Sequence, residues 1–148
     1  MIRLYAFLGN YGAEYARTRH NVAWQFLESL PFYGSLRFAN KFKGEFAAYE
    51  TAAGRVYLLR PLTYMNLSGD SVAELARFHQ IGIDEILVIH DELELPFGTF
   101  GFKFGGGLGG HNGLRSMVEG TEMSMPPVIT TRVKGTATMR MWAKSFVE

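Results

Sequence analysis

The sequence contains no cysteine, and it has no apolar run near the roughly 20 residues that a membrane-spanning helix needs. The missing cysteine excludes disulfide bonds and cysteine-ligated zinc, so the hydrophobic core has to stabilise the fold alone. The N-terminal residues MIRLYAFLGNYG are too polar, and their apolar part too short, for a secretory signal. Together these absences predict a cytoplasmic protein with no membrane association.

An excess of charge of one sign is also lacking, since the formal net charge is +1. Residues 1–100 carry 9 basic and 11 acidic side chains, whereas residues 101–148 carry 6 and 3. The overall charge therefore does not predict a nucleic-acid-binding protein, and a polyanion would have to bind a local patch. Lys103, Arg115 and the C-terminal segment are the candidates for such a patch, although both side chains equally fit ordinary solvated positions.

Leucine is missing from the last part of the chain. It occurs 15 times in residues 1–114 and not once in residues 115–148, where methionine, threonine and the pair Pro126-Pro127 stand instead. The only regular pattern there is the alternation at residues 128–133. The composition predicts one domain over residues 1–119, followed by a divergent, poorly specified tail at 120–148 that packs weakly or is disordered.

What is present is the composition of one folded domain, with 47% hydrophobic and 14% aromatic residues in a chain of 148. Apolar runs closed by turn residues alternate with segments in which apolar residues recur every three or four positions. This order predicts an α/β fold in which a mixed, twisted central sheet is flanked by helices. The predicted strands are residues 3–8, 38–51, 55–60 and 85–90, and the predicted helices are residues 20–30 and about 68–79.

Polar side chains follow the predicted strands at the points where ligands bind in open α/β sheets. Asn10 follows the first strand, Asn66 lies in the loop TYMN, and Asp91 follows the run EILVIH. His20 opens a helix, and Asn112 ends a glycine-rich loop. An imidazole oriented by a carboxylate can take a proton from water, and carboxamides can bind a carbonyl or the oxyanion formed from it.

Each of these residues also has a structural interpretation. His20 fits a helix cap or a surface position, and Asp91 fits a turn residue after a strand. Asn10 fits a left-handed backbone position, and Asn66 and Asn112 fit a loop polar group and a helix cap. His79 and His90, at a helix face and a strand end, are interpreted as structural.

The glycine-rich loop at residues 105–113 has six glycines in nine residues, which lets backbone N–H groups approach a ligand or an anion closely. A nucleotide-binding module built around this loop is one alternative. The spacing GxGxxG does occur, but no acidic residue at the end of a second strand follows it at about 20 residues. Phosphate-loop, zinc-protease and serine-hydrolase motifs are absent from the sequence.

Four segments together resemble the bacterial peptidyl-tRNA hydrolase family, in the order in which that family has them. They are FLGNYGAEYARTRHN at residues 7–21, RPLTYMNLSG at 60–69, HDELELPFG at 90–98 and GGGLGGHNGLRS at 105–116. The resemblance implies a single α/β domain. It also implies hydrolysis of the ester between a peptide and the 3′ end of tRNA, which recycles the tRNA, with no metal or other cofactor.

The resemblance implies a role for each residue of the candidate constellation. His20 would be the base that activates water, and Asp91 would orient it. Asn10, Asn66 and Asn112 would hold the peptide and the ester carbonyl. Asn10 is thereby grouped with the catalytic residues, and the other two asparagines with the substrate-binding ones.

The resemblance also extends to the walls of the substrate site. Tyr15 and Tyr64 match positions that line the crevice, and His111 lies beside Asn112. Lys103 and Arg115 are the candidates for tRNA phosphates, which predicts an affinity that depends on salt. The partner implied is peptidyl-tRNA, bound by a monomer.

After about residue 119 the sequence departs from the family. Members continue through a further strand with an arginine- and glycine-rich run and then a C-terminal helix that borders the tRNA site, and both are expected to be missing here. Gly101 also stands where a basic residue is expected. Two alternatives to a hydrolase follow: a fold relative that binds RNA without cleaving it, and an inactive truncated product.

Overall fold

A computed structural model of the chain describes residues 2–9, 22–64, 67–91, 99–104 and 127–132. Within these ranges, strands and helices alternate as the sequence predicts. The strands are β1 (Leu4–Phe7), β2 (Ala39–Lys41), β3 (Gly44–Thr51), β4 (Gly54–Pro61), β5 (Ile86–Asp91), β6 (Thr99–Phe104) and β7 (Pro127–Arg132), and the helices are α1 (Val22–Glu28) and α2 (Ser68–Phe78).

The described strands form one mixed sheet of seven strands in the order β2-β3-β4-β1-β5-β7-β6. Strands β4, β1, β5 and β7 run parallel to one another, and β2, β3 and β6 join antiparallel neighbours. The α/β class with a mixed central sheet is therefore confirmed.

The two central strands are apolar on both faces because helices cover both sides of the sheet. One cluster of buried side chains joins α2 to the sheet, and a second cluster joins α1 to the opposite face. Successive residues of a strand point to opposite faces, so Leu4 and Ala6 of β1 belong to the first cluster and Phe7 to the second. The prediction of a buried central strand at residues 85–90 is confirmed by β5, whose Ile86 and Ile89 are almost fully buried.

The prediction of one strand across residues 38–51 is wrong. The structure has two strands there, β2 and β3, separated by Phe42 and Lys43, which adopt φ values of 59° and 54°. A buried hydrogen bond holds the turn: the hydroxyl of Ser71 in α2 donates to the carbonyl oxygen of Phe42 at 2.6 Å. Phe42 itself is buried in the cluster beneath α2. Neither residue is a glycine or an asparagine, the residue types that usually adopt positive φ, so their identities do not predict this backbone conformation.

Helix α2 begins at Ser68, in agreement with the predicted helix at about residues 68–79. The capping position is Leu67, which makes no side-chain hydrogen bond to the helix. Asp70 lies in the first turn and Arg77 in the last, an arrangement that the helix dipole favours.

Strand β7 lies inside the segment that composition predicts to be a divergent tail. It pairs parallel to β5 and antiparallel to β6, so it fills the position between them. The structure therefore has a strand at residues 127–132, inside the segment predicted to be a tail. The domain boundary at residue 119 stays a prediction, and the remainder of residues 120–148 lies outside the described residues.

Across the described residues, no helix is both long enough and apolar enough to span a membrane.

Candidate active site

The carboxyl ends of four neighbouring parallel strands meet at one edge of the sheet. In spatial order these ends are Pro61 of β4, Phe7 of β1, Asp91 of β5 and Arg132 of β7. Neighbouring strands lie about 4.8 Å apart, so the ends of β4 and β5, with β1 between them, are separated by roughly 10 Å. This is the edge at which open α/β sheets bind ligands.

Asp91 is the predicted site residue that the sheet places at this edge. It is the last residue of β5, and its backbone is in register with Thr131 of β7. The residue before it, His90, is fully buried in the strand. Asp91 is therefore the residue of β5 at this edge. His90 is a buried residue of the interior, as its structural interpretation predicts.

Two further predicted residues lie in the described part of the chain. Tyr64 follows β4 and is 64% exposed, and its carbonyl oxygen accepts a hydrogen bond of 2.9 Å from the N–H of Leu67. Lys103 lies in β6, where its backbone is in register with Val128 of β7. Among the described strands β6 is the last at its side of the sheet, and Lys103 lies two strands away from Asp91.

The other predicted site residues lie outside the described residues. They are Asn10, Tyr15, His20, Asn66, His111, Asn112 and Arg115. Three of them adjoin described elements that reach the same edge: β1 leads towards Asn10, β4 leads towards Asn66, and α1 follows His20 by two positions. The fold therefore places the described ends of these segments together, and the roles of the residues stay predictions.

Trp24 connects helix α1 to this edge. Its spacing in the sequence does not indicate a functional role. The indole N–H of Trp24 donates a hydrogen bond of 2.8 Å to the carbonyl oxygen of Phe7, the last residue of β1. The guanidinium group of Arg60 lies 5.3 Å from the centre of the Trp24 ring, within the range of a cation–π contact. Helix α1 is thereby connected to both β1 and β4.

Arg60 also joins two carboxylates from different elements. It forms an ion pair with Glu45 of β3 and a second, at 3.4 Å, with Glu28 of α1. Its side chain is only 15% exposed, and its guanidinium lies 5.7 Å from the centre of the Phe38 ring. In the sequence, Arg60 is notable only as the first residue of the motif RPLTYMNLSG. The periodicity of the sequence does not predict which residues it contacts.

His79 lies outside this edge. It packs among Phe42, Phe46 and Tyr57, and its ring stacks on Tyr57 with centroids 4.1 Å apart. Burial lowers the pKa of its imidazole, and the positive charges of Lys41 and Arg3 lower it further. Tyr57 pairs with Leu4, the first residue of β1, so His79 lies towards the amino ends of the two central strands and away from Asp91, which supports its structural interpretation.

A half-open cavity of about 220 Å³ occupies the opposite end of the sheet. It is lined by Tyr5, Val56 and Leu58 of the sheet, together with the stacked rings of Phe32 and Tyr49, whose centroids are 4.0 Å apart. It therefore does not belong to the edge that carries Asp91. In the ranges that the structure describes, no group of three or more His, Cys, Asp or Glu side chains is arranged to hold a metal ion.

Comparison with known proteins matches most of the chain to one protein family. The sequence model of the family described as peptidyl-tRNA hydrolase matches residues 4–126. A peptidyl-tRNA hydrolase from Treponema pallidum (strain Nichols) is 51% identical over 121 residues, which cover 80% of this chain and 60% of that protein. One from Aromatoleum aromaticum is 54% identical over 115 residues, 76% of this chain and 58% of that protein.

Solved structures agree in fold. The crystal structure of peptidyl-tRNA hydrolase from Acinetobacter baumannii matches with a TM-score of 0.80 and 40% identity, over 87% of this chain and 66% of that one. A peptidyl-tRNA hydrolase in complex with N-propanol matches with a TM-score of 0.82 and 37% identity, over 99% of this chain and 74% of that one. The chain spans about three fifths of the length of the curated relatives that it matches.

Proposed function

The chain belongs to the peptidyl-tRNA hydrolase family, and from this premise we propose that it hydrolyses the ester bond between a peptide and the 3′ end of tRNA. The observation that carries the proposal is the family match across residues 4–126, a range that contains every residue of the predicted constellation. The sheet supports it by placing Asp91 at the edge towards which β1 and β4 also lead.

In the proposed reaction His20 takes a proton from water, and the resulting hydroxide attacks the ester carbonyl. Asp91 accepts a hydrogen bond from the other imidazole nitrogen, which fixes the tautomer and stabilises the imidazolium. The ester bond to the tRNA 3′ oxygen then breaks, and the imidazolium returns its proton to that oxygen. The products are a free peptide acid and a tRNA with a free 3′ hydroxyl.

Asn10, Asn66 and Asn112 are proposed to bind the ester carbonyl and the peptide backbone. Carboxamides stabilise the developing oxyanion without adding charge, and they contact backbone groups that every peptide has. Such a site is indifferent to peptide side chains. It also favours N-blocked peptidyl esters over free aminoacyl esters, because a charged α-amine finds no countercharge there.

The remaining proposed contacts are peripheral. Tyr15, Tyr64 and His111 line the substrate crevice, and Lys103 and Arg115 bind tRNA phosphates. The protein is proposed to act as a monomer in the cytoplasm and to need no metal or other cofactor.

The test is hydrolysis of radiolabelled N-acetyl-aminoacyl-tRNA by the purified 148-residue chain, with His20→Ala as the control. We expect release of the labelled N-acetyl-amino acid by the unaltered chain and almost none by the variant, with circular dichroism showing that both are folded. Equal release by both proteins would remove His20 from the role of base.

A parallel measurement of tRNA binding separates the alternatives. A folded chain that binds tRNA and releases nothing would be an RNA-binding relative of the hydrolases. A folded chain that neither binds nor cleaves would be an inactive product, and the proposed function would then be wrong for this protein.

A further inference from the structure

The carbonyl oxygen of Phe7 accepts a hydrogen bond from Trp24 at a position where the neighbouring strand has no N–H to donate. In the ladder between β1 and β4, the N–H of Tyr57 donates to the carbonyl oxygen of Arg3 at 2.8 Å. Every second residue of a parallel ladder repeats this bond. The repeat therefore brings the carbonyl of Phe7 opposite the nitrogen of residue 61.

Residue 61 is a proline, which has no N–H to donate. The carbonyl of Phe7 would be left without its ladder partner at the buried end of β1, and such a loss is costly in a protein interior. The indole N–H of Trp24 takes this place, at 2.8 Å. A side chain of α1 thus completes the sheet at the edge from which β1 and β4 lead towards the proposed site.

Arg60, the residue before this proline, holds the same indole from β4. Its guanidinium contacts the face of the Trp24 ring and also pairs with Glu28, four residues further along α1. Trp24 and Glu28 lie on one face of the helix because of that spacing. Helix α1 is therefore fixed to β1 by a hydrogen bond and to β4 by a charged group at two successive turns.

From these contacts we infer that Trp24 is a positioning residue for the proposed hydrolysis, which sets α1 against the ends of β1 and β4. The inference rests on the proposed function, because α1 follows the proposed base His20 by two positions and β1 leads to Asn10 three positions beyond Phe7. Trp24 itself takes no part in the chemistry. Its role is to fix the distance between the elements next to which the proposed reacting groups lie in the sequence.

The first experiment compares Trp24→Phe with Tyr33→Phe in the full chain. Trp24→Phe keeps an aromatic ring and removes the N–H, whereas Tyr33→Phe removes the hydroxyl group from another half-buried ring of the same cluster. Small displacements of reacting groups cost up to about a hundredfold in rate. We expect kcat to fall about 10- to 100-fold in Trp24→Phe with KM nearly unchanged, and both constants to stay unchanged in Tyr33→Phe.

The second experiment restores the missing donor from the sheet. Pro61→Ala gives residue 61 an N–H opposite the carbonyl of Phe7, so Trp24→Phe combined with Pro61→Ala is expected to recover most of the lost kcat. A purely structural loss of the indole ring would not be repaired by a backbone N–H. Failure of the double variant to recover kcat, or an unaltered kcat in Trp24→Phe, would overturn the inference.

A spectroscopic readout separates this inference from the proposed function. In the chain labelled at histidine, the imidazole resonances and titration midpoint of His20 are expected to move in Trp24→Phe and to stay in place in Tyr33→Phe. If the unaltered chain shows no hydrolysis but His20 responds in this way, the proposed function fails and the positioning role stands. Unmoved His20 resonances would overturn the positioning role, whatever the activity.

Should Trp24→Phe fail to fold, Pro61→Ala alone provides the test. The new backbone donor competes for the Phe7 carbonyl, so the indole N–H of Trp24 is expected to exchange with solvent faster than in the unaltered chain. Unchanged exchange would show that the indole does not serve in place of the ladder donor.

Discussion

Glu45 of β3 and Arg60 of β4 lie directly opposite each other, and their side chains form an ion pair beneath the face that α1 covers. The same two strands carry a second opposed pair, Glu50 with Arg55, at the end next to the hairpin turn. The two pairs differ in exposure, since the Arg60 side chain is 15% exposed and that of Arg55 is 59% exposed. One sheet thus contains the same type of ion pair in a partly buried and in a solvated setting.

We expect Glu45→Gln to lower the free energy of unfolding by about 1–3 kcal/mol, because it leaves the mostly buried guanidinium of Arg60 without its principal countercharge. Glu50→Gln is the matched control, and we expect no measurable change there because water solvates Arg55. Urea denaturation of both variants measures the difference. Equal changes in the free energy of unfolding would mean that the lower exposure of Arg60 does not strengthen its ion pair with Glu45.

Gly44, the first residue of β3, is expected to tolerate no side chain. A Cβ atom there would lie 2.7 Å from the backbone oxygen of Arg60 and 3.1 Å from the hydroxyl oxygen of Ser71. We expect Gly44→Ala to destabilise the protein by about 1–3 kcal/mol, the usual range for overpacking. Gly34→Ala is the control, because no atom lies within 4 Å of its Cβ position. The midpoints of thermal unfolding compare the two, and a stable Gly44→Ala variant would contradict this packing.

The folded state is expected to lose stability as the pH falls below the ordinary pKa of histidine, in part through His79. Burial, assisted by Lys41 and Arg3, lowers the pKa of its imidazole in the folded protein. The unfolded chain therefore binds the proton more readily, so the contribution of His79 is complete above about pH 6.5 and is lost as the pH falls towards the lower, folded pKa.

His79→Phe isolates this contribution, because phenylalanine keeps a ring against Tyr57 and cannot titrate. The free energy of unfolding is measured from pH 7.5 to pH 4.5 in both proteins, and the variant is expected to show a shallower loss. The same slope in both would assign the pH dependence to other groups.

Asp91→Asn is expected to lower kcat by about tenfold to a thousandfold, because an amide orients the proposed base less well and does not stabilise its protonated form. Asp84→Asn is the matched control, since it makes the same change at an exposed residue in the short turn before the amino end of β5. Single-turnover hydrolysis of N-acetyl-aminoacyl-tRNA measures both. Full activity in Asp91→Asn would remove Asp91 from the mechanism.

Treatment with EDTA is expected to leave the rate of hydrolysis unchanged, because the proposed mechanism activates water with an imidazole and not with a metal ion. The tRNA is folded in magnesium beforehand, and a spermidine-containing buffer is used as a control for loss of tRNA structure. A rate that falls with EDTA and returns with one particular divalent ion would contradict the metal-free proposal.

The sequence by itself determined the fold class and the central strands. Strand β5 was predictable because a strand covered on both faces has to be apolar at successive positions, and EILVIH shows this directly. Helix α2 was predictable because its buried side chains recur at helical spacing. The position of Asp91 at the carboxyl end of β5 also followed, because the end of an apolar run marks the end of a buried strand.

Only the tertiary structure decided the features that depend on contacts between distant residues. The turn at Phe42 and Lys43 interrupts an apparently continuous strand because Ser71 of α2 holds the carbonyl of Phe42. Strand β7 takes its place because an open position between β5 and β6 offers hydrogen bonds on both sides, which local composition does not reveal. Trp24 acquires its partner because Pro61, 37 residues later in the sequence, cannot donate to Phe7. The periodicity of apolar residues predicts which face of a helix or strand is buried. The residues that this face contacts depend on how the folded chain brings distant segments together.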